Sequence, residues 1–173
     1  PIWHKEIEDI IVLKNNKGTE DNRVRKLDYS IQLSKLFYER FINDEDITLF
    51  SPHEVPELYE AWGTDEFDSL YETAERKTSV SKKKVSAQTL FFDMLKERAE
   101  TGRIYIMNID HCNTHSSFKD RIYMSNLCQE ITLPTDPIQH IDGDGEIALC
   151  ILSAINVGKL NYLEDLEGLC DLA

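Results

Sequence analysis

Two adjoining stretches decide the fold: Ala87-Gln88-Thr89-Leu90-Phe91-Phe92-Asp93-Met94-Leu95, and Thr101-Gly102-Arg103-Ile104-Tyr105-Ile106-Met107-Asn108-Ile109. In the first, Ala87, Leu90, Phe91, Met94 and Leu95 recur at helical spacing and predict a strongly amphipathic helix. Gly102 supplies its stop, since glycine accepts the left-handed backbone that ends helices. Ile104 to Ile109 is then a near-continuous apolar run, the pattern of a strand covered on both faces. Helices alternating with apolar strands predict an α/β architecture with a largely parallel sheet.

Towards the N-terminus, Thr78 to Lys84 is polar and basic and reads as a loop. A helix is expected from Asp65, its N-cap, with Phe67, Leu70, Tyr71 and Ala74 on one face. Pro56 suits the first turn of a helix running to Trp62, because its missing N–H is not needed there. Ile47 to Phe50, closed by Ser51-Pro52, reads as a buried strand. Lys35 to Ile42 reads as a helix, and Leu27 to Leu33 as a short strand. Lys14 to Arg25, with Asn15, Asn16 and Gly18, reads as a loop. Trp3, Ile7, Ile10 and Ile11 give Trp3 to Leu13 the spacing of an amphipathic helix.

Towards the C-terminus, His111 to Lys119 is polar. Ser125 to Leu133 is strand-like, and Pro134 to Gly145 is a connector rich in Pro, Asp and Gly. Glu146 to Val157 is a third apolar extended run, and Tyr162 to Ala173 reads as a helix. Neither an internal repeat nor a domain boundary is visible, so residues 1–173 are expected to form one domain.

Composition narrows the function. The 173 residues carry 32 acidic and 19 basic side chains, a formal charge of −13. Such a surface repels nucleic acid and anionic membrane but leaves room for a small phosphorylated substrate. With 41% hydrophobic and 29% charged residues the chain suits a globular fold. No apolar run approaches the roughly 20 residues that span a bilayer. The four cysteines (Cys112, Cys128, Cys150 and Cys170) form no close pair, so a reducing, cytoplasmic setting is expected. Pro1 and Ala173 read as cuts through a larger protein.

Three constellations bear chemistry. In Ser125-Asn126-Leu127-Cys128-Gln129-Glu130-Ile131 an extended chain puts Asn126, Cys128 and Glu130 on one face, about 6.6 Å between neighbours. A thiol is then flanked by a carboxylate and an amide: a nucleophile or hydrogen donor, a general base and a hydrogen-bonding group. The same spacing fits a strand with a buried thiol and two polar edge residues. Cys150, in Glu146-Ile147-Ala148-Leu149-Cys150-Ile151-Leu152, reads as a thiol in a buried strand. It gains interest because neighbouring strands lie about 4.8 Å apart and would let it approach Cys128. His111-Cys112-Asn113-Thr114-His115 offers three zinc-ligand types, but no fourth follows at usable spacing, so a polar loop and no metal site are expected. Lys82-Lys83-Lys84 reads as solvated, and Asp142-Gly143-Asp144-Gly145 as a turn without the glutamate that closes a calcium loop.

Further stretches join these: Pro1-Ile2-Trp3-His4, Val12-Leu13-Lys14-Asn15-Asn16, Asp46-Ile47-Thr48-Leu49-Phe50-Ser51-Pro52-His53, Asp110-His111-Cys112-Asn113-Thr114-His115, and Gly145-Glu146-Ile147-Ala148-Leu149-Cys150 into Leu152-Ser153-Ala154. In this order they resemble the large subunit of class I ribonucleotide reductases over essentially the whole chain, in particular the aerobic bacterial and bacteriophage enzymes. The resemblance implies part of a ten-stranded α/β barrel built from two parallel half-barrels. A central finger loop would carry Cys128 at its tip.

It also implies roles. Cys128 would become a thiyl radical and take hydrogen from C3′ of a ribonucleoside diphosphate. Glu130 would be the base for the 3′-hydroxyl, Asn126 would hydrogen-bond the substrate, and Cys150 would be one of a redox-active pair. The radical would come from a metal-containing small subunit and the reducing equivalents from thioredoxin or glutaredoxin. Effectors of the ATP/dATP type would bind parts of a dimeric large subunit outside this chain. The second redox cysteine, the N-terminal allosteric region and the C-terminal part are likewise expected outside it, while Cys112 and Cys170 match no redox position and read as structural. Two alternatives stand beside this reading: a non-catalytic assembly piece or split-subunit fragment, and a zinc module on His111, Cys112 and His115.

Overall fold

A computed structural model describes residues 1–15 and 17–172. Asn16, part of the expected loop and of one quoted stretch, and Ala173, at the end of the last expected helix, lie outside them. The architecture is mixed α/β. In chain order the elements are α1 (Ile7–Ile11), β1 (Ser30–Leu33), α2 (Lys35–Ile42), β2 (Asp46–Phe50), α3 (Pro56–Ala61), α4 (Phe67–Arg76), β3 (Lys82–Ser86), α5 (Ala87–Thr101), β4 (Tyr105–Asn108), α6 (Ile109–Thr114) and α7 (Asp165–Leu172).

The strands form two pairs rather than one largely parallel sheet. β1 runs parallel to β4, Ser30 facing Tyr105 and Leu33 facing Asn108, and β2 runs antiparallel to β3. The N-terminal residues join the pairs. Ile2 N–H donates to the Gln32 carbonyl at 2.9 Å, while Phe50 N–H donates to Trp3 O and Lys5 N–H to Phe50 O. That pairing explains why the helix expected from Trp3 begins only at Ile7: the backbone of residues 2–5 is used between strands. Ile2 and Trp3 are buried there. Trp3 meets Trp62 and Phe67 at ring centroid separations of 5.9 and 6.3 Å.

The helices follow their local signals. Ser34 accepts from Phe37 N–H and caps α2, and Ser86 accepts from Thr89 N–H and caps α5. Gly102 takes φ +67 and ends α5, and Pro56 sits in the first turn of α3. Asp65 does not cap α4; Glu66 holds that position, without a side-chain cap. Of the stripe on α5, Ala87, Leu90 and Met94 are buried, while Phe91 packs half-buried against Phe37 and Phe41.

Several expectations are corrected. The lysine-rich segment is strand β3, because the backbone of β2 needs a partner and an edge strand tolerates lysines. The strand expected over Ile104 to Ile109 spans only Tyr105–Asn108, with Tyr105 and Ile106 half-buried. The start of the polar run after it belongs to helix α6, which ends at Thr114, and residues 115–119 lie outside it. Neither Ser125–Leu133 nor Glu146–Val157 forms a strand. An apolar alternating run becomes a strand only where another chain segment accepts its hydrogen bonds. The buried core closes at Ile122, and no described residue after it is buried. The ten-stranded barrel and finger loop that the resemblance implied are not shown by the strand pairs of the described residues.

Candidate active site

Three side chains lead the backbone from the core to the candidate residues. Asn113, on α6, donates to Ile122 O at 3.0 Å and accepts from Ile122 N–H at 2.9 Å. Gln32, on β1, donates to Tyr123 O at 2.8 Å and accepts from Trp62 Nε1 at 2.7 Å. The Arg121 guanidinium donates to the carbonyls of Glu60 and Trp62 and lies 4.5 Å from the Tyr123 ring centroid. None of the three was found from the sequence; the only signal was Asn113 inside the histidine-rich motif.

Residues 125–131 then close a turn instead of an extended strand. Gln129 N–H donates to Asn126 O at 3.2 Å. Ser125 Oγ donates to Ile131 O at 2.6 Å, and Ile131 N–H donates to Asn126 Oδ1 at 3.0 Å. Side chains of Ser and Asn that satisfy nearby backbone compete with a strand ladder, which is why alternation misread this segment. Gln129 adopts φ +68, a left-handed conformation uncommon outside glycine, with its own amide bonded to Asn126 O at 2.6 Å.

The turn nonetheless brings two of the three residues together. Asn126 Nδ2 donates to Glu130 Oε1 at 2.7 Å. Between them Cys128 is exposed at the turn, a free thiol. The amide fixes one carboxylate oxygen, so the second is open to a proton from a bound hydroxyl. A cavity of about 800 Å³ opens beside the turn, with Asn126, Ser125, Tyr123, Ile131 and Cys150 on its wall. Asn126 and Cys150 thus share a space, while Cys128 and Glu130 are not part of that wall. Cys150 is exposed rather than buried in a strand.

The remaining cysteines and the motif around α6 stand apart. Cys112 is half-buried against the core, and burial pushes its thiol above the usual range. Cys170 is exposed on α7 and is not a core residue. The rings of His111 and His115 lie 5.4 Å apart, with His115 Nδ1 at 3.2 Å from His111 O. Among the described residues no three His, Cys, Asp or Glu side chains group as a metal site. The aspartate–glycine run is a turn, Gly143 N–H donating to His140 O at 3.0 Å. No described helix is long and apolar enough to cross a membrane.

A short mixed α/β scaffold carrying a thiol, a carboxylate and an amide on one turn narrows the field to redox or acid–base chemistry on a small ligand. The chain belongs to the ribonucleotide reductase barrel-domain family, whose model matches residues 1–172. It is 55% identical over 170 residues to ribonucleoside-diphosphate reductase subunit alpha of Haemophilus influenzae, covering 95% of this chain and 22% of that protein. It is 54% identical over 143 residues to the 1 subunit alpha of Escherichia coli, covering 80% of this chain and 19% of that protein. The subunit alpha of Enterobacteria phage T4 is 44% identical over 179 residues, covering the whole chain and 23% of that protein. The chain therefore spans about a fifth to a quarter of the length of these relatives.

Proposed function

We propose that this chain is the catalytic segment of a ribonucleoside-diphosphate reductase large subunit, with Cys128 as the radical-bearing residue. The observation that carries the reading is the Asn126–Glu130 hydrogen bond at 2.7 Å across a turn on which Cys128, between them in sequence, is an exposed free thiol. Within the complete subunit this turn would be the tip of a finger loop, inside a ten-stranded barrel of two parallel half-barrels.

The reaction balances on this chain's residues and one further thiol. A radical supplied from the small subunit, which holds its own metal, oxidises Cys128 to a thiyl. The thiyl takes the hydrogen atom from C3′, leaving a carbon radical and restoring the S–H. Glu130 accepts the 3′-hydroxyl proton and gives it back to the 3′-oxygen before the cycle closes, while the 2′-hydroxyl departs as water with one of the two thiol protons. Cys150 and a second cysteine elsewhere in the subunit supply two electrons and two protons and become a disulfide. Cys128 then returns its hydrogen atom to C3′ and is again a thiyl. The net change is ribonucleoside diphosphate plus two thiols to deoxyribonucleoside diphosphate, disulfide and water. A thioredoxin- or glutaredoxin-type dithiol reopens the disulfide, and ATP/dATP-type effectors act on regions outside this segment. The free thiols call for a reducing compartment, the cytoplasm in this reading.

The exposed run Ile147, Leu149 and Ile151, at 69%, 77% and 92% exposure, supports one addition. This segment works only when the rest of the large subunit, itself dimeric, covers that run. The test is deoxynucleoside diphosphate formation by the full-length subunit with its small subunit and a dithiol. Wild-type protein turns over, and Cys128→Ser does not; a Cys128→Ser protein that still turns over rejects the reading.

A further inference from the structure

The proposed chemistry needs the turn at 125–131 to stand at a fixed place, yet the core ends at Ile122. The turn's position is therefore set by what grips its stem. We propose that Gln32 and Asn113 are positioning residues of this turn, their side-chain amides holding the backbone of Ile122 and Tyr123 in place of a neighbouring strand. The inference rests on the functional reading above.

The geometry is that of a strand pair. Asn113 both donates to and accepts from Ile122, the reciprocal exchange that two peptide groups make across an antiparallel ladder. Its Nδ2 also donates to Ile109 O at 3.1 Å, which locks the amide's orientation to its own helix. Gln32 takes the next carbonyl along, Tyr123 O, and its other end is fixed by Trp62 Nε1, a donor from the corner between α3 and α4. Arg121 ties the stem to that same corner through the carbonyls of Glu60 and Trp62.

Gly63 permits the approach. It holds φ +80, and a Cβ there would lie 2.6 Å from Ile109 Cγ1 and 3.0 Å from Asn113 Nδ2. The corner and α6 thus close on the stem from two sides. Asn126 follows three residues after Tyr123, so a shift of the stem is carried into Asn126, Glu130 and Cys128. Misplacing reacting groups by about 1 Å can cost about 100-fold in rate.

Isosteric variants of the full-length subunit test this. Gln32→Glu keeps the acceptor for Trp62 Nε1 but sets a carboxylate oxygen against Tyr123 O. Asn113→Asp keeps the acceptor for Ile122 N–H but loses both donated bonds. Each is expected to lower kcat about 10- to 100-fold, with KM for the nucleoside diphosphate within about threefold. Amide exchange should accelerate at least about tenfold over 122–131, with α4 and α5 unchanged. Unchanged kcat with unchanged exchange over 122–131 overturns the proposal. So does a uniform loss of protection through β1, α4 and α5, which would mark the amides as general structural groups. If the wild-type subunit shows no reductase turnover, the functional reading fails. The local exchange contrast then still decides whether the clamp exists.

Discussion

Asn126 commits its amide to the turn through Nδ2, which donates to Glu130, and Oδ1, which accepts from Ile131 N–H and lies 3.1 Å from the Ser125 hydroxyl. It therefore aims the Glu130 carboxylate. Glu130→Gln keeps the shape and removes the base, so kcat of the full-length subunit is expected to fall about 100- to 10,000-fold. A fall below tenfold in steady-state turnover would count against that role. A second residue cluster serves stability. Arg40 grips Glu75 through two bonds at 2.7 and 2.6 Å, and Thr48 Oγ1 donates to the same carboxylate at 2.5 Å. Burial alone would raise the Glu75 carboxyl, but these bonds and the Arg40 charge hold it below its ordinary 4.5. Its stabilisation is thus fully present above that ordinary value and fades as pH falls through the lower folded one. Glu75→Gln should cost about 2–4 kcal/mol at neutral pH in chemical denaturation, allowing for the partial exposure of the pair. It should also flatten the acid side of the stability curve.

At the scale of elements, what was legible follows from how local the cause is. α2, α3 and α5 carry their own caps, proline and glycine, and fall within a residue or two of expectation. β2 was legible because its apolar run is buried along its length after Asp46. β3 was not, since Lys82-Lys83-Lys84 has no strand signal of its own and pairs because β2 offers an edge. The candidate triplet was misread as geometry. Alternation cannot see that Ser125 and Asn126 will bond the backbone of Ile131 instead of leaving it to a ladder. Two glycines separate backbone strain from contact. Gly102 and Gly63 both have positive φ, but only at Gly63 would a Cβ meet other atoms. Gly102→Ala should cost about 1 kcal/mol and Gly63→Ala about 3 kcal/mol in denaturant titrations. Equal costs would contradict the packing described at the α6 corner.

For the whole molecule, the division at Ile122 is the main feature. A core built around Trp3, Phe50, Phe67 and Tyr71 lies before it, and exposed chain rich in Ile and Leu lies after it. The family was legible from motif order, whereas the described residues form two strand pairs and do not show the ten-stranded barrel that the resemblance implied. Placing aspartate at both Leu149 and Ile151 should therefore leave the core of residues 1–122 as protected from amide exchange as before. The same change should impair folding of the full-length subunit. The central claim, that the sulfur of Cys128 takes hydrogen from C3′, is tested most directly by isotope competition. Full-length subunit and small subunit are given ribonucleoside diphosphate with hydrogen or deuterium at C3′, for wild type and Cys128→Ser. The account predicts slower consumption of the deuterated substrate by wild type and no deoxynucleotide from Cys128→Ser. Equal consumption of the two substrates, or deoxynucleotide formed without that sulfur, would contradict it.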